Sequence, residues 1–179
     1  VDAAALALDG IDILVNNAGG NSFSTPMANM RFSGWQKTFS LNVESIVHAC
    51  QAASPHLQAA NSASVINVSS VASLAGTPFM SHYGAAKAAV SSLTKSLAIE
   101  WAHAGVRVNA LVPGWIETDL TDFLRVDDST ETSLLSRVPM QRWGMAHEIA
   151  EPAVFLASDA SSFMTGQQLI VDGGLSVMP

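Results

Sequence analysis

Charge is scarce in this sequence, and basic charge is scarcest. Only 13% of its 179 residues are charged while 49% are hydrophobic, the reverse of the balance that keeps chains disordered. Eight Lys and Arg stand against fifteen Asp and Glu, with no basic cluster, so the net charge of −7 excludes nucleic acid and anionic membrane surfaces as expected partners. Cysteine occurs once, so no internal disulfide can form. Cys50 follows the apolar-patterned Ile46–Ala49 run and reads as a buried core residue. No apolar run reaches the roughly 18 residues of a membrane span, and no basic n-region precedes the alanines at the start. A cytoplasmic location is the resulting expectation. Histidines are scattered and His82 has no Glu, His or Cys cluster around it, so no metal site is expected. A Gly-x-Ser-x-Gly elbow and a G-x-G-x-x-G phosphate loop are both missing.

What the sequence does contain is an alternation. Val1–Leu8 reads as the end of a helix, stopped by Asp9-Gly10. Apolar runs at Ile11–Val15, Val65–Val68, Val106–Val112 and Gln168–Val171 read as strands. Between them lie helical stretches at Ser33–Ala60, Tyr83–Ala104, with Gly105 as its stop, and Ala146–Ser158. The polar stretch Thr118–Val138 predicts a mobile helical excursion. Strands that are continuously apolar, alternating with helices, predict an α/β domain with a parallel sheet covered on both faces. No repeat or linker divides residues 1–179, so a single domain is expected.

Two side chains suggest chemistry. Tyr83 and Lys87, four residues apart, project from one helix face. A nearby ammonium favours phenolate, which predicts that Lys87 lowers the Tyr83 pKa and makes the pair a proton donor or acceptor. On its own the spacing is equally that of a surface tyrosine packing on a lysine stem. Ser69-Ser70 follows the strand Val65–Val68 directly, at the carboxyl edge where open α/β sheets bind ligands. Ser70 can thus meet Tyr83 across one crevice, although a serine there also serves as a loop or helix cap.

Six segments in register carry a resemblance. Asn16-Asn17-Ala18-Gly19, Leu41-Asn42-Val43, Asn67-Val68-Ser69-Ser70, Tyr83-Gly84-Ala85-Ala86-Lys87, Pro113-Gly114-Trp115-Ile116-Glu117-Thr118 and Val171-Asp172-Gly173-Gly174 resemble the motifs of short-chain dehydrogenases/reductases, in order from Ile11 to Gly174. The resemblance implies a partial Rossmann-type doubly wound parallel sheet, strands four to seven of the family order. It also implies an NAD(P)-dependent oxidoreductase interconverting a secondary alcohol and a ketone. Tyr83 would be the acid/base, Ser70 would bond the substrate oxygen, and Lys87 would tune Tyr83 and bind the nicotinamide ribose. Asn42 would hold a relay water. Asn17, Ala18 and Gly19 would face the adenosine-side ribose, and Pro113, Gly114, Ile116 and Thr118 would form the nicotinamide loop. The cofactor would be NAD or NADP, without a readable preference.

The same resemblance predicts that the family's N-terminal half is absent, with about 70 residues missing if each βαβ unit takes about 30. Weak cofactor binding is expected in that case, and an uncovered apolar edge at Ile11–Val15. A homo-oligomer is expected, through that edge or through the small residues Ala85, Ala88, Ala89, Ser92 and Ser96. Two rival readings remain. One is a catalytically idle, self-associating α/β module, and the other a nucleotide-binding regulator, against which the intact Ser70, Tyr83 and Lys87 count. Trp115 could wall the substrate pocket or simply pack.

Overall fold

The computed structural model describes residues 1–125 and 127–178. Four apolar runs form one sheet: β1 (Ile13–Asn16), β2 (Ala63–Val68), β3 (Val106–Pro113) and β4 (Gln168–Val171), all parallel and in the order β1-β2-β3-β4. The register aligns Leu14 with Val65, Val65 with Val108, and Leu111 with Leu169. Side chains alternate between the two faces, so each strand needs apolar residues in both sets. Val65 and Val108 meet α3 (Ser45–Ala59) and α4 (Ser81–Trp101) on one face, with Ile46, Leu57 and Val90. Ile66 and Leu111 meet Leu156 of α6 (His147–Ala157) on the other. Cys50 lies in the first of these cores, and burial pushes its thiol pKa up to about 11. Beyond Asn16, Val68, Pro113 and Val171 the chain turns out over the carboxyl edge of the sheet, where the site is built.

The α/β class and parallel sheet read from the sequence are present, with helices on both faces. The finer expectation, strands four to seven of a larger order, is not borne out. Each strand pairs with its neighbour in sequence to make a four-stranded sheet, and such pairing defines neighbours rather than a place in a longer count. Ile13 and Val15 remain 50% and 48% exposed on the edge strand β1. Leu14 between them packs into the α3/α4 core, so by alternation the exposed pair lies on the α6 side.

Helix ends follow local chemistry. α1 (Asp2–Leu8) stops at Asp9, φ 58°, and Gly10, whose N–H bonds the Ala5 carbonyl. Beyond α4 the chain leaves through Gly105 at φ 75°, the left-handed stop its sequence position suggested. A tertiary cap closes α6. Arg107 on β3 is buried and donates to the carbonyls of Leu156, Ala157 and Ser158 and to Ser161 Oγ, at 2.8–3.4 Å. Those are carbonyls a helix end leaves unpaired, at the negative pole of its dipole.

Two expectations change in detail. The stretch Ser33–Ala60 is not one regular helix. α2 (Phe32–Phe39) and α3 are joined by a π turn at Ser40–Glu44 that contains Asn42. Apolar periodicity alone does not reveal one extra residue in a turn. The stretch Thr118–Val138 holds a 3-10 turn at Asp122–Leu124 and α5 (Asp128–Leu135), capped by the Asp127 carboxylate on the Ser129 and Thr130 N–H groups. Val126, within that stretch, lies outside the described residues.

Candidate active site

A cleft of about 440 Å³ opens at the carboxyl edge of the sheet. Ser70, Tyr83 and Lys87 line one wall, Asn17 and Gly19 a second, and Pro113, Gly114, Ile116 and Thr118 a third. Ala18 and Asn42 are not among its lining residues. Asn42 stands behind Gly19, as described below.

The first wall comes from β2 and α4. Ser70 leaves β2 as the cap of a 3-10 turn, its Oγ accepting from the Ala72 N–H at 3.2 Å. Tyr83 enters on the first turn of α4, beside the Ser70 side chain in the same cleft. Lys87, one turn on, is only 4% exposed; its Nζ donates to the Val68 carbonyl at 2.9 Å and lies 5.7 Å from the centre of the Tyr83 ring. Gly84 lets these walls meet, because a Cβ there would run into Thr77 Oγ1 and approach the Ala72 carbonyl to 3.1 Å.

Electrostatically this wall differs from the sequence expectation. Burial pushes the Tyr83 phenol above its ordinary pKa, and the Ser70 side chain only partly pulls it back. The same burial lowers the Lys87 ammonium to about 8. Removing a phenolate or an ammonium from water disfavours each charged form, and burial is the leading cause of both shifts. The net shift of Tyr83 is thus upward, opposite to the lowering by Lys87 expected from the sequence.

The second wall hangs on Asn42. Its side chain is fully buried and clamps the backbone of Gly20, accepting from the N–H at 3.0 Å and donating to the carbonyl at 2.9 Å. A further bond reaches the Thr38 carbonyl at 2.9 Å, inside the distorted helix. Gly19 rests against the result: a Cβ there would stand 2.7 Å from Asn42 Oδ1 and 3.1 Å from Lys87 Nζ. With its amide bonded in this way, the Asn42 side chain fixes the loop. Beneath the loop, Asn16 Nδ2 donates to Asn67 Oδ1 at 2.8 Å, tying β1 to β2.

The third wall requires glycine at 114. Its N–H bonds the Val171 carbonyl at 3.0 Å, and a Cβ would lie 2.7 Å from the Asp172 Cα. Trp115 does not reach this cleft. It lines the other side of the loop and meets Trp143 edge-on at 5.8 Å. His82 is fully buried, stacked on Phe23 at 4.2 Å, with Nε2 bonded to Asn21 Oδ1. Among the described residues no three His, Cys, Asp or Glu gather as a metal site, and no helix is long and apolar enough to cross a membrane. Sequence reasoning missed Ile149, Ala150 and Ala153, which bring α6 into the cleft. The signal was there, since apolar residues at positions 149, 150 and 153 share one helix face.

A parallel α/β sheet with these walls at its carboxyl edge defines a Rossmann-like class. Residues 1–176 match the family described as enoyl-(acyl carrier protein) reductase. The chain is 43% identical over 166 residues to a 3-oxoacyl-[acyl-carrier-protein] reductase FabG of Chlamydia pneumoniae, covering 93% of this chain and 66% of that protein. Identity to a 2-dehydro-3-deoxy-D-gluconate 5-dehydrogenase of Bacillus subtilis is 41%, covering 92% and 64%. Its fold matches a gluconate 5-dehydrogenase from Burkholderia cenocepacia, solved with NADP and tartrate, at a TM-score of 0.95 and 37% identity, covering 99% of this chain and 69% of that one. The chain belongs to the short-chain dehydrogenase/reductase family. It spans about two thirds of the length of these curated relatives, so the expectation that a whole N-terminal half is absent is not borne out.

Proposed function

We propose that this chain carries the catalytic centre of an NAD(P)-dependent oxidoreductase that interconverts a secondary alcohol and its ketone. The supporting observation is the convergence of Ser70, Tyr83 and Lys87 on one wall of the cleft. A nicotinamide–ribose end fits the cleft by size and by the close, glycine-lined approach at Gly19 and Gly114. Lys87, Asn17, Ala18, Gly19, Pro113, Gly114, Ile116 and Thr118 would hold it. Bound NAD(P)H would supply hydride to the carbonyl carbon.

The chain's own residues manage the proton. The Ser70 hydroxyl orients the substrate oxygen against the Tyr83 phenol. Burial keeps Tyr83 protonated, so its proton is available as negative charge develops on the substrate oxygen. Lys87, at about 8, is still cationic near neutrality. It stabilises the phenolate that results and can return a proton to it. Asn42 and Gly20 keep Gly19 flush against Lys87, which leaves the ammonium little room to turn away.

The direct experiment mixes the chain with NADPH or NADH and a panel of ketones, including keto sugar acids and 3-oxoacyl thioesters, and follows nicotinamide absorbance. Turnover that Tyr83→Phe abolishes supports the reading, and undiminished turnover in that variant removes Tyr83 from the mechanism. A self-associating role is the second reading, favoured by the half-exposed Ile13 and Val15 and by the exposed Ala88, Ser92 and Ser96 on α4. Sedimentation tests it: a monomer at high micromolar concentration excludes both surfaces.

A further inference from the structure

Lys87 is fastened to the end of β2 at two points. Its Nζ reaches back to the Val68 carbonyl, and its own carbonyl accepts from Ser69 Oγ at 3.0 Å. Ser69 Oγ also lies 3.1 Å from Ser91 Oγ, and both serines are buried, at 3% and 7% exposure. The direction of this chain follows from counting protons. A carbonyl can only accept and a serine hydroxyl carries one proton, so Ser69 spends its proton on Lys87 and Ser91 donates to Ser69. Ser69 is in turn pinned to β3 by its N–H on the Leu111 carbonyl at 2.8 Å. Ser70 is the next residue. The spacing between Ser70 on the strand and the Tyr83–Lys87 face of α4 is thereby set by a polar rivet in a buried layer, where a satisfied network fixes geometry more tightly than apolar contact does.

We propose that Ser91 and Ser69 are positioning residues, which act through the Lys87 carbonyl to hold α4 in register with Ser70. The proposal deepens the oxidoreductase reading, since its effect on turnover rests on it. Its structural effect does not.

The test follows the Lys87 ammonium by NMR of lysine-labelled protein, with the Lys87 signal assigned by its loss in Lys87→Met. The wild-type midpoint should fall at about 8. Ser69→Ala should raise it by about one pH unit, because a loosened ammonium regains water. Ser91→Ala should raise it less, Ser91→Thr should restore it, and Ser92→Ala, exposed on the same helix, should leave it unmoved. Ser91→Ala is helix-favouring and keeps the Ser69–Lys87 bond, so it carries the test if Ser69→Ala does not fold. In turnover, Ser69→Ala should lower kcat about tenfold while substrate KM stays within about threefold, as for an interaction that matters in the transition state. Folded Ser69→Ala and Ser91→Ala with an unmoved Lys87 midpoint overturn the proposal, whatever their activity. Midpoints that shift as expected in a chain with no wild-type turnover support the rivet and overturn the oxidoreductase reading instead.

Discussion

Replacing Lys87 by methionine should make the protein more stable near neutrality while removing its activity. The ammonium is 4% exposed and its pKa falls from 10.5 to about 8 through burial. At about 1.4 kcal/mol per pH unit, that drop corresponds to about 3 kcal/mol by which the charged lysine opposes folding. Methionine keeps most of the buried stem and removes the charge. Against this, the Val68 carbonyl loses the Nζ donor, which costs about 1–2 kcal/mol if no water replaces it. The net expectation at pH 7 is a gain of about 1–2 kcal/mol, or a Tm higher by about 3–6 °C for a chain of this size. The sign reverses with pH. Because the folded pKa lies below the unfolded one, the folded form binds fewer protons between about 8 and 10.5, so wild-type stability rises across that window. Methionine has nothing to titrate, so its advantage should shrink through pH 9 and become a deficit near 10.5. The buried Cys50 thiol has the opposite linkage: its raised pKa stabilises the fold below pH 9 and that contribution is lost as pH rises through about 11. Both proteins share it, so it cancels in the difference. Urea unfolding of both at pH 7, 8.5 and 10 measures the effect. A Lys87→Met protein that is less stable at pH 7, with a deficit independent of pH, refutes the reasoning.

Other consequences are shorter to state. Tyr83→Phe should leave the free energy of unfolding in urea within about 1 kcal/mol of wild type while abolishing turnover, since one hydroxyl is all it removes. Gly19→Ala drives a methyl to 2.7 Å from Asn42 Oδ1. It should lower stability by about 1–3 kcal/mol and weaken NADPH affinity in calorimetry. Unchanged affinity would mean the Gly19 wall is not a cofactor contact. Arg107→Met removes one donor from each carbonyl at the end of α6, leaves Ser64 and Ser161 on those of Leu156 and Ser158, and should cost about 1–3 kcal/mol in urea unfolding. A loss below 1 kcal/mol would show that water caps α6 equally well.

The parts of this fold that were legible are those decided locally. β2 and β3 are largely apolar runs, and the stops at Asp9-Gly10 and Gly105 follow from left-handed backbone that few residues accept. Ser70, Tyr83 and Lys87 were found because their spacing fits a strand end and a helix turn, and because neighbouring segments matched a family in register. What escaped was decided by partners distant in sequence. Arg107 reads as one more charged residue until β3 carries it to the end of α6, 49 residues on. Asn42 stands out in the sequence only through its motif, and its clamp on Gly20 appears when the fold brings the two together. Trp115 had two sides of a loop available, and the loop's bonds to Gly144 and Val171 turned it away from the cleft. The direction of the Tyr83 shift depends on how much water the cleft admits, a quantity no residue pattern encodes.

The π turn at Ser40–Glu44 makes chain length itself a functional parameter here. A π turn takes up one residue more than an α turn while the helix on either side stays in phase. Deleting one residue from it would let the helix run regularly with Ile46, Cys50, Ala53 and Leu57 still facing the sheet, and would remove only the widened turn that carries the Asn42 amide to Gly20. Substitutions at these positions are local injuries. A single-codon deletion leaves the helix packed on the sheet and unhooks the loop that lines the cleft, which makes the length of Ser40–Glu44 a setting of the site rather than of the core.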